Sequence, residues 1–384
     1  MIGSKLKQLL ITLGEAVVIA GITVLAVMPV SCKITEQGVK IISGDYVPPV
    51  LNDFVVLDES TLRLEFSEKV EVTGYVTAKV TDEFFGSEEH SSTFDLSPAI
   101  ERVSGIYGSV PCAVSVDESG CVVTVCFEQQ MEIAQEYEFY AEVRDSIGNS
   151  LTLAVPFTGF NSRVPQLIIT ELQTESLSQR SAEKKEGIYR NEFVEILVLK
   201  EGNLAGLELC SGYDGETKKF CFPAIDVSAG EVFVVHMRNR GNGCISETDD
   251  NLSQAFSSYA SPDIRDLWTD IESTTLGNKT DIVILRNRAD KRLLDAVMFR
   301  APDTEAWTKT MAEYALLIDE SGIYESGDID NAFVTEGLTA TKTLVRTDAQ
   351  ELRLKVLEGQ EIAFPVPSSP ELWAIASEGS PGTL

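Results

Sequence analysis

Histidine is the side chain best suited to moving protons near neutral pH, and this 384-residue chain has two, His90 and His236. His90 sits in the polar run Glu88-Glu89-His90-Ser91-Ser92 and reads as an exposed loop residue. His236 closes the apolar run Val232-Phe233-Val234-Val235 and reads as a strand-end residue. No G-x-S-x-G nucleophile elbow accompanies either one, so Ser/His/Asp catalysis lacks its parts. Glu192 and Glu195 are separated by an odd number of positions. On a strand that puts them on opposite faces, so they do not form a same-face carboxylate pair. The acidic clusters Glu247-Thr248-Asp249-Asp250-Asn251, Asp319-Glu320 and Asp328-Ile329-Asp330-Asn331 offer the oxygen ligands calcium prefers. They lack EF-hand or nonapeptide spacing and read as solvated loop charge. The sequence contains no P-loop, G-x-G-x-x-G or Cys-x-x-Cys motif. No catalytic residue, cofactor or metal site is therefore assigned. Three aromatics in a polar stretch, Phe256, Tyr259 and Trp268, are the residues best placed to contact a ligand; the alternative is that they cover a sheet edge.

Composition narrows the function class further. Lys and Arg number 31 against 60 Asp and Glu, a net charge of −29, which repels phosphate backbones and argues against nucleic-acid binding. Hydrophobic residues make up 43% and charged residues 24%, an ordinary folded chain.

The first 31 residues stand apart. Lys5 and Lys7 precede an apolar run whose uninterrupted part, Ala16 to Met28, has the length of a signal-peptide hydrophobic region and is short for a membrane span. It ends at Met28-Pro29-Val30-Ser31-Cys32, which resembles the lipobox of bacterial lipoproteins. Ser31 fits the position before the cysteine; Pro29 departs from the usual Leu, a relaxation typical of spirochaetes. The resemblance implies cleavage before Cys32, lipid on its sulfur, and attachment to a membrane of the cell envelope, at a periplasmic face or the outer surface. The other reading is an ordinary cleaved signal or an uncleaved anchor, with Cys32 incidental. Residues 32–47 then read as a polar tether.

Six further cysteines remain, in a chain whose export permits disulfides. The turn Asp117-Glu118-Ser119-Gly120 folds a hairpin that brings Cys112 near Cys126, and the Asp214-Gly215 turn places Cys210 almost opposite Cys221. These four are disulfide candidates, with Cys121 and Cys244 left over. The alternative is that all six are small buried apolar side chains.

From residue 48 onward, period-two alternation dominates: Leu62-Arg63-Leu64-Glu65-Phe66, Val122-Val123-Thr124-Val125, Tyr137 to Val143, and Leu151 to Val155. About seven such strands separated by turn signals predict a β-sandwich over residues 48–161. The early LRLEFSEKV and the late Val143-Arg144-Asp145-Ser146-Ile147-Gly148-Asn149 resemble bacterial Ig-like domains of the SbsA type, a likeness that implies a fold and no active site.

A second series of strands occupies residues 164–384. In order come Leu167 to Leu172 with Glu171 near its end, Asn191-Glu192-Phe193-Val194-Glu195-Ile196, and Leu204-Ala205-Gly206-Leu207. Gly230-Glu231-Val232-Phe233-Val234-Val235, Leu276-Gly277-Asn278-Lys279-Thr280-Asp281-Ile282-Val283-Ile284-Leu285 and Asp295-Ala296-Val297-Met298-Phe299 follow, and the series closes with Trp373 and Ser380-Pro381-Gly382. This ordered set resembles the lamin-tail domain family, which implies a second Ig-like sandwich and a structural role for the Glu192/Glu195 motif. Two loop insertions depart from the family, residues 237–275 and 300–340. The second is expected to hold one short helix capped by Asp303 or Thr304, with Trp307, Met311, Tyr314 and Ile318 on one face. That stripe reads as packing on the sandwich, the alternative being a groove-binding helix.

The fold expected is all-β, two Ig-like β-sandwich domains in tandem. The function expected is a non-enzymatic, membrane-anchored envelope module for binding, scaffolding or adhesion, with a protein or glycan partner and no nucleic acid. The alternative is a metal-dependent hydrolase, or an accessory subunit of one, working through acidic loops.

Overall fold

The computed structural model describes residues 32–35, 38–41, 47–80, 109–213 and 215–384; the expected signal segment 1–31 and His90 lie outside the described residues. The chain divides into two compact units at Gly159/Phe160. Each is a β-sandwich, and the fold is all-β.

In the first unit the short pair β1 (Cys32–Thr35) and β2 (Gly38–Ile41) precedes the sandwich. One sheet orders β3 (Leu51–Asp58), β4 (Thr61–Phe66), β7 (Val122–Phe127) and β6 (Cys112–Val116) as β3-β4-β7-β6. The other orders β5 (Glu71–Lys79), β8 (Glu136–Arg144) and β9 (Ser150–Thr158) as β5-β8-β9. Alternation sends Leu62, Leu64, Val123 and Val125 inward from one sheet, against Phe139, Val143, Val155 and Phe157 from the other. At the β8–β9 turn, one carboxylate oxygen of Asp145 accepts the backbone N–H groups of Ile147, Gly148 and Asn149 at 2.8, 2.6 and 2.9 Å. Gly148 there takes φ 99°, a conformation glycine adopts without steric cost.

The second unit is larger. Its six-stranded sheet contains β10 (Gln166–Gln173), β11 (Phe193–Lys200), β16 (Val232–His236), β17 (Arg265–Trp268), β21 (Thr343–Arg346) and β22 (Trp373–Ala376), in the order β17-β16-β11-β10-β21-β22. Facing it, β13 (Leu207–Ser211), β14 (Lys219–Cys221), β18 (Asp281–Asn287), β19 (Leu293–Arg300) and β20 (Phe333–Val334) run β14-β13-β18-β19-β20. A small pair, β12 (Gly202–Asn203) with β15 (Asp226–Val227), stands beside them. The shared core includes Leu167, Ile169, Val194, Ile196, Phe233, Val235, Val283, Leu285, Val297 and Phe299.

Both outer faces are covered as well, which explains why β11 and β16 are buried along nearly their whole length. Helix α1 (Ser181–Glu186) is a single turn and a half. Helix α2 (Lys309–Ser321) packs Met311, Tyr314 and Ile318 on Cys210, Ile282, Ile284 and Met298 of the five-stranded sheet. Helix α3 (Ala349–Leu357) packs Leu352 and Val356 on Ile168, Leu197 and Val232 of the six-stranded one. The expected helix is therefore present and two more join it. Its start is corrected: Thr308 is the N-cap, accepting from Met311 N, in place of Asp303 or Thr304. Trp307 lies before the helix, where its indole N–H donates to the Gly327 carbonyl at 2.8 Å.

The expected 237–275 insertion contains β17, which pairs parallel with β16 and extends the sheet by one strand. Its polar residues are spent locally. Arg265 donates to the carbonyls of Glu247 and Asp249 at 2.6 and 2.8 Å, and Glu247 accepts the N–H groups of Gln254, Ala255 and Asp266.

The disulfide expectations are corrected by strand register. Cys112 lies opposite Phe127, and Cys126 opposite Ala113. A one-residue offset sends their side chains to opposite faces, Cys112 toward the core and Cys126 into solvent. Cys210 lies opposite Lys219, and Cys221 opposite Glu208. That pair is diagonal, with Cys210 buried under α2 and Cys221 exposed. All six cysteines from Cys112 to Cys244 are free thiols.

Candidate functional site

Side chains able to do chemistry gather on the outer face of the six-stranded sheet. Along β11 the alternation turns Val194, Ile196 and Val198 to the core, and Phe193, Glu195 and Leu197 outward. On β10 a bulge at Thr170 shifts the register, so that Ile169 faces Ile196 and Glu171 faces Glu195 directly. The structure thus holds a same-face carboxylate pair, contributed by two strands. Both groups are buried, at 3% and 0% exposure.

Glu171 accepts the N–H of Ser380 at 3.2 Å. Glu195 accepts the hydroxyl of Thr170 at 2.6 Å and the N–H of Gly382. Burial pushes both carboxyls up against these donors, Glu195 to about 7, and the neighbouring Glu171 adds to the rise. Glu192, on the opposite side of the motif, accepts the N–H groups of Thr275 and Leu276 at 3.1 and 3.4 Å. Arg238 lies 3.6 Å from it.

On the strand next to β11, His236 closes β16. Its Nε2 lies 2.6 Å from Oδ1 of Asp266 on β17, and Oδ2 of Asp266 accepts the N–H of Ser261 at 2.9 Å. The imidazole stacks on Trp268 with ring centroids 3.7 Å apart. His236, Asp266 and Trp268 are all buried.

The loop aromatics divide. Phe256 is 61% exposed, whereas Trp268 is 4% exposed and is a strand residue. Tyr259 is half-buried, edge-on to Phe193 at 5.2 Å, with φ 73°. Tyr259 and Trp268 are therefore corrected from ligand contacts to cover for the sheet, and only Phe256 presents its ring to solvent. Cys32 lies in β1, away from these groups in sequence.

The remaining acidic motif residues are also tied to the fold. Asp281 accepts from Ser211 Oγ and Gly277 N at 2.5 and 2.8 Å, and burial pushes it up to about 7. Asp295 accepts the N–H of Ile169 at 2.6 Å, beside the β10 bulge, and burial pushes it up to about 6. Desolvation would raise Glu208 too, but hydrogen bonds from Lys219, Arg286 and Lys291 outweigh it and bring that carboxyl down to about 2. Glu171, Asp266 and Asp295 depend on a bulge, a parallel edge strand and a cross-sheet contact. None of these has a local sequence signal; the only hint was that acidic residues recur within otherwise apolar strands. Among the described residues no group of three or more His, Cys, Asp and Glu is arranged to hold a metal, and no helix is long and apolar enough to cross a membrane.

The chain is 27% identical over 232 residues to an uncharacterized protein of Treponema pallidum (strain Nichols), covering 59% of this chain. It covers 54% of that protein, so the chain spans about half the length of the curated relative it matches. Among solved structures it is similar to the N-terminal part of the bacterial S-layer protein SbsC, at 16% identity and TM-score 0.23, over 49% of this chain and 40% of the other. It is also similar to a DUF4876 family protein from Bacteroides thetaiotaomicron, at 11% identity and TM-score 0.28, over 76% and 84%. At these scores neither structure carries an argument. Residues 165–375, more than half of the chain, match the model of the TP_1001_2nd family, described as a protein second domain, and the protein belongs to that family.

Proposed function

We propose that this protein is a non-enzymatic module of the cell envelope, exported and lipid-anchored through Cys32, that scaffolds or binds a protein or glycan partner through loops of its second unit. The observation that carries the reading is the state of the motif carboxylates. Glu171, Glu192, Glu195, Asp281 and Asp295 are buried, and each is spent on backbone N–H groups of its own chain. Groups committed in this way shape loops and seal sheets; substrate cannot reach them without displacing chain. The ordered motifs of residues 164–384 support a lamin-tail-like sandwich, and the motifs of residues 48–161 a bacterial Ig-like one.

The first unit suits the role of a spacer. Val47 enters beside Asn149 at the β8–β9 turn, while Thr158 leaves opposite Glu136 at the other end of that hairpin. Entry and exit are thus one strand length apart, about 30 Å at about 3.3 Å per residue.

Intact mass of the protein from native membranes tests the anchor. A diacylated chain beginning at Cys32 is expected, and a mass without lipid would remove the anchoring claim. Calorimetry with calcium, magnesium and manganese tests the non-enzymatic claim. No heat of binding is expected; tight binding of any of the three would favour a metal-dependent hydrolase instead.

A further inference from the structure

Three buried side chains meet where β10 pairs with β21. The ladder sets Glu171 opposite Val345 and Leu172 opposite Leu344, and one step further the same register brings Gln173 across from Thr343. Leu172 and Leu344 point to the core, so alternation puts Glu171, Gln173 and Thr343 together on the outer face. Gln173 and Thr343 are fully buried and Glu171 nearly so. The Gln173 amide is fixed in place: its Nε2 donates to the carbonyls of Glu175 and Ala340 at 3.0 and 2.8 Å. Its Oε1 is buried with no hydrogen-bond partner among the described residues. The Thr343 hydroxyl reaches two acceptors, the Glu378 carbonyl at 3.4 Å and the Glu171 carboxylate, to which it donates. Gly379 closes the site. A Cβ there would stand 3.2 Å from Thr343 Cγ2 and 3.3 Å from Gln173 Oε1. Both side chains therefore border one atom-sized space, and the bare glycine lets the chain lie close over them.

We propose that Thr343 and Gln173 condense into an internal ester, with Glu171 as the base, that welds β10 to β21. The step balances without a co-reactant. Thr343 Oγ attacks Cδ of Gln173 and passes its proton to the Glu171 carboxylate. The Cδ–Nε2 bond breaks, the same proton goes to the departing nitrogen, and ammonia leaves. Holding hydroxyl and amide on paired strands supplies the proximity that so slow an attack needs. The orphaned oxygen favours the product. A buried amide oxygen without a donor is costly, and an ester carbonyl, the weaker acceptor, loses less by having none. Burial raises the Glu171 carboxyl above its ordinary range, which makes the carboxylate a stronger base. The chain from Glu378 to Gly382 keeps water off the finished ester, tied down where Ser380 and Gly382 donate to Glu171 and Glu195. β10 is the first strand of its unit and β21 the last but one, so the link fastens the beginning of the unit to its end.

Mass spectrometry of the full chain, kept folded and then denatured and digested at mildly acidic pH, tests this. The expected product is a branched species joining the peptide that holds Gln173 to the peptide that holds Thr343, lighter by one ammonia than the two together. Hydroxylamine, which cleaves esters and spares amides, should part the pair and leave a hydroxamate at position 173. Thr343→Val keeps the shape and loses the hydroxyl, and should give two unlinked peptides; Thr343→Ser should restore the link. Glu171→Gln should leave most of the chain unlinked. Unlinked peptides from the folded wild-type chain, a link that survives in Thr343→Val, or a link that resists hydroxylamine would overturn the proposal. A Glu171→Gln chain that links as fully as wild type would overturn the assignment of the base. If the variants do not fold, the wild-type digest and its hydroxylamine treatment decide alone.

Discussion

His236 lies flat against Trp268, their rings 6° from parallel with centroids 3.7 Å apart, and each ring belongs to a different strand of a parallel pair. The stack, together with the 2.6 Å contact from His236 to Asp266, fastens β17 to the sheet edge. A free parallel edge of four residues offers few hydrogen bonds and exposes a pairing template. Burying an aromatic pair there supplies the missing cohesion and closes the edge.

Truncating this contact should be expensive. Trp268→Ala removes a side chain that is 4% exposed and is expected to cost about 3–5 kcal/mol. Phe256→Ala, at 61% exposure, should change stability by no more than about 0.5 kcal/mol. Denaturant unfolding of the two variants separates strand cohesion from loop display; equal losses would contradict the placement of Trp268.

The two residues also show where sequence reading works and where it stops. Strand β4 was legible because its outer face meets solvent, so Leu62, Leu64 and Phe66 alternate with Arg63 and Glu65. Helix α2 was legible from Met311, Tyr314 and Ile318, although Trp307, four residues earlier on the same period, belongs to the loop. Helix α3 has a weaker signal, because Ala349, Leu352 and Val356 are its only buried residues and Leu354 and Leu357 are exposed apolar side chains that blur the stripe. β17 was illegible for a physical reason: Arg265 and Asp266 are buried polar residues satisfied by Glu247, Asp249 and His236, so the segment looks like a polar loop. Register was equally hidden. Nothing local to Thr170 announces the bulge that sets Glu171 opposite Glu195.

Register also decides the thiol chemistry. In the folded protein, Cys126 and Cys221 should react with an alkylating reagent at rates close to those of the unfolded chain, since both are exposed. Cys210 should not react, because burial beneath α2 pushes its thiol up to about 12 and blocks access. Peptide mapping under non-reducing conditions should show neither a Cys112–Cys126 nor a Cys210–Cys221 bridge. Finding either would mean that the corresponding strands pair in a different register.

Stability of the second unit should fall as pH rises from about 5 to 8. Asp281 and Asp295 are pushed up by burial, to about 7 and about 6. A carboxyl with a raised folded pKa contributes fully below its unfolded value and loses that contribution as pH climbs through the folded value. Glu208, held at about 2, works in the opposite sense and weakens the fold only as pH drops toward 2. The unfolding free energy is therefore expected to be highest near pH 4 and to decline by about 2–4 kcal/mol between pH 5 and pH 8. Asp281→Asn should flatten that decline whatever it costs in absolute stability. A midpoint that rises from pH 5 to 8 would show that these groups are ionised at no penalty.

The last prediction concerns the charged cluster on the five-stranded sheet. Glu208 is fully buried, and Arg286, 3% exposed at its side chain, approaches it at 2.7 Å; Lys219 and Lys291 follow at 2.9 and 3.1 Å. Arg286 also reaches Glu216 and lies over the Tyr314 ring of α2 at 5.6 Å. Arg286→Met leaves a buried carboxylate served only by two partly exposed lysines, and should cost about 3–5 kcal/mol. Arg286→Met combined with Glu208→Leu removes the stranded charge along with its partner, so most of that loss should return. The double-mutant cycle therefore has a definite sign: the second substitution is harmful alone and beneficial in the background of the first. Strictly additive losses would mean that Glu208 and Arg286 do not depend on each other, and that the lysines alone hold this carboxylate in the sheet.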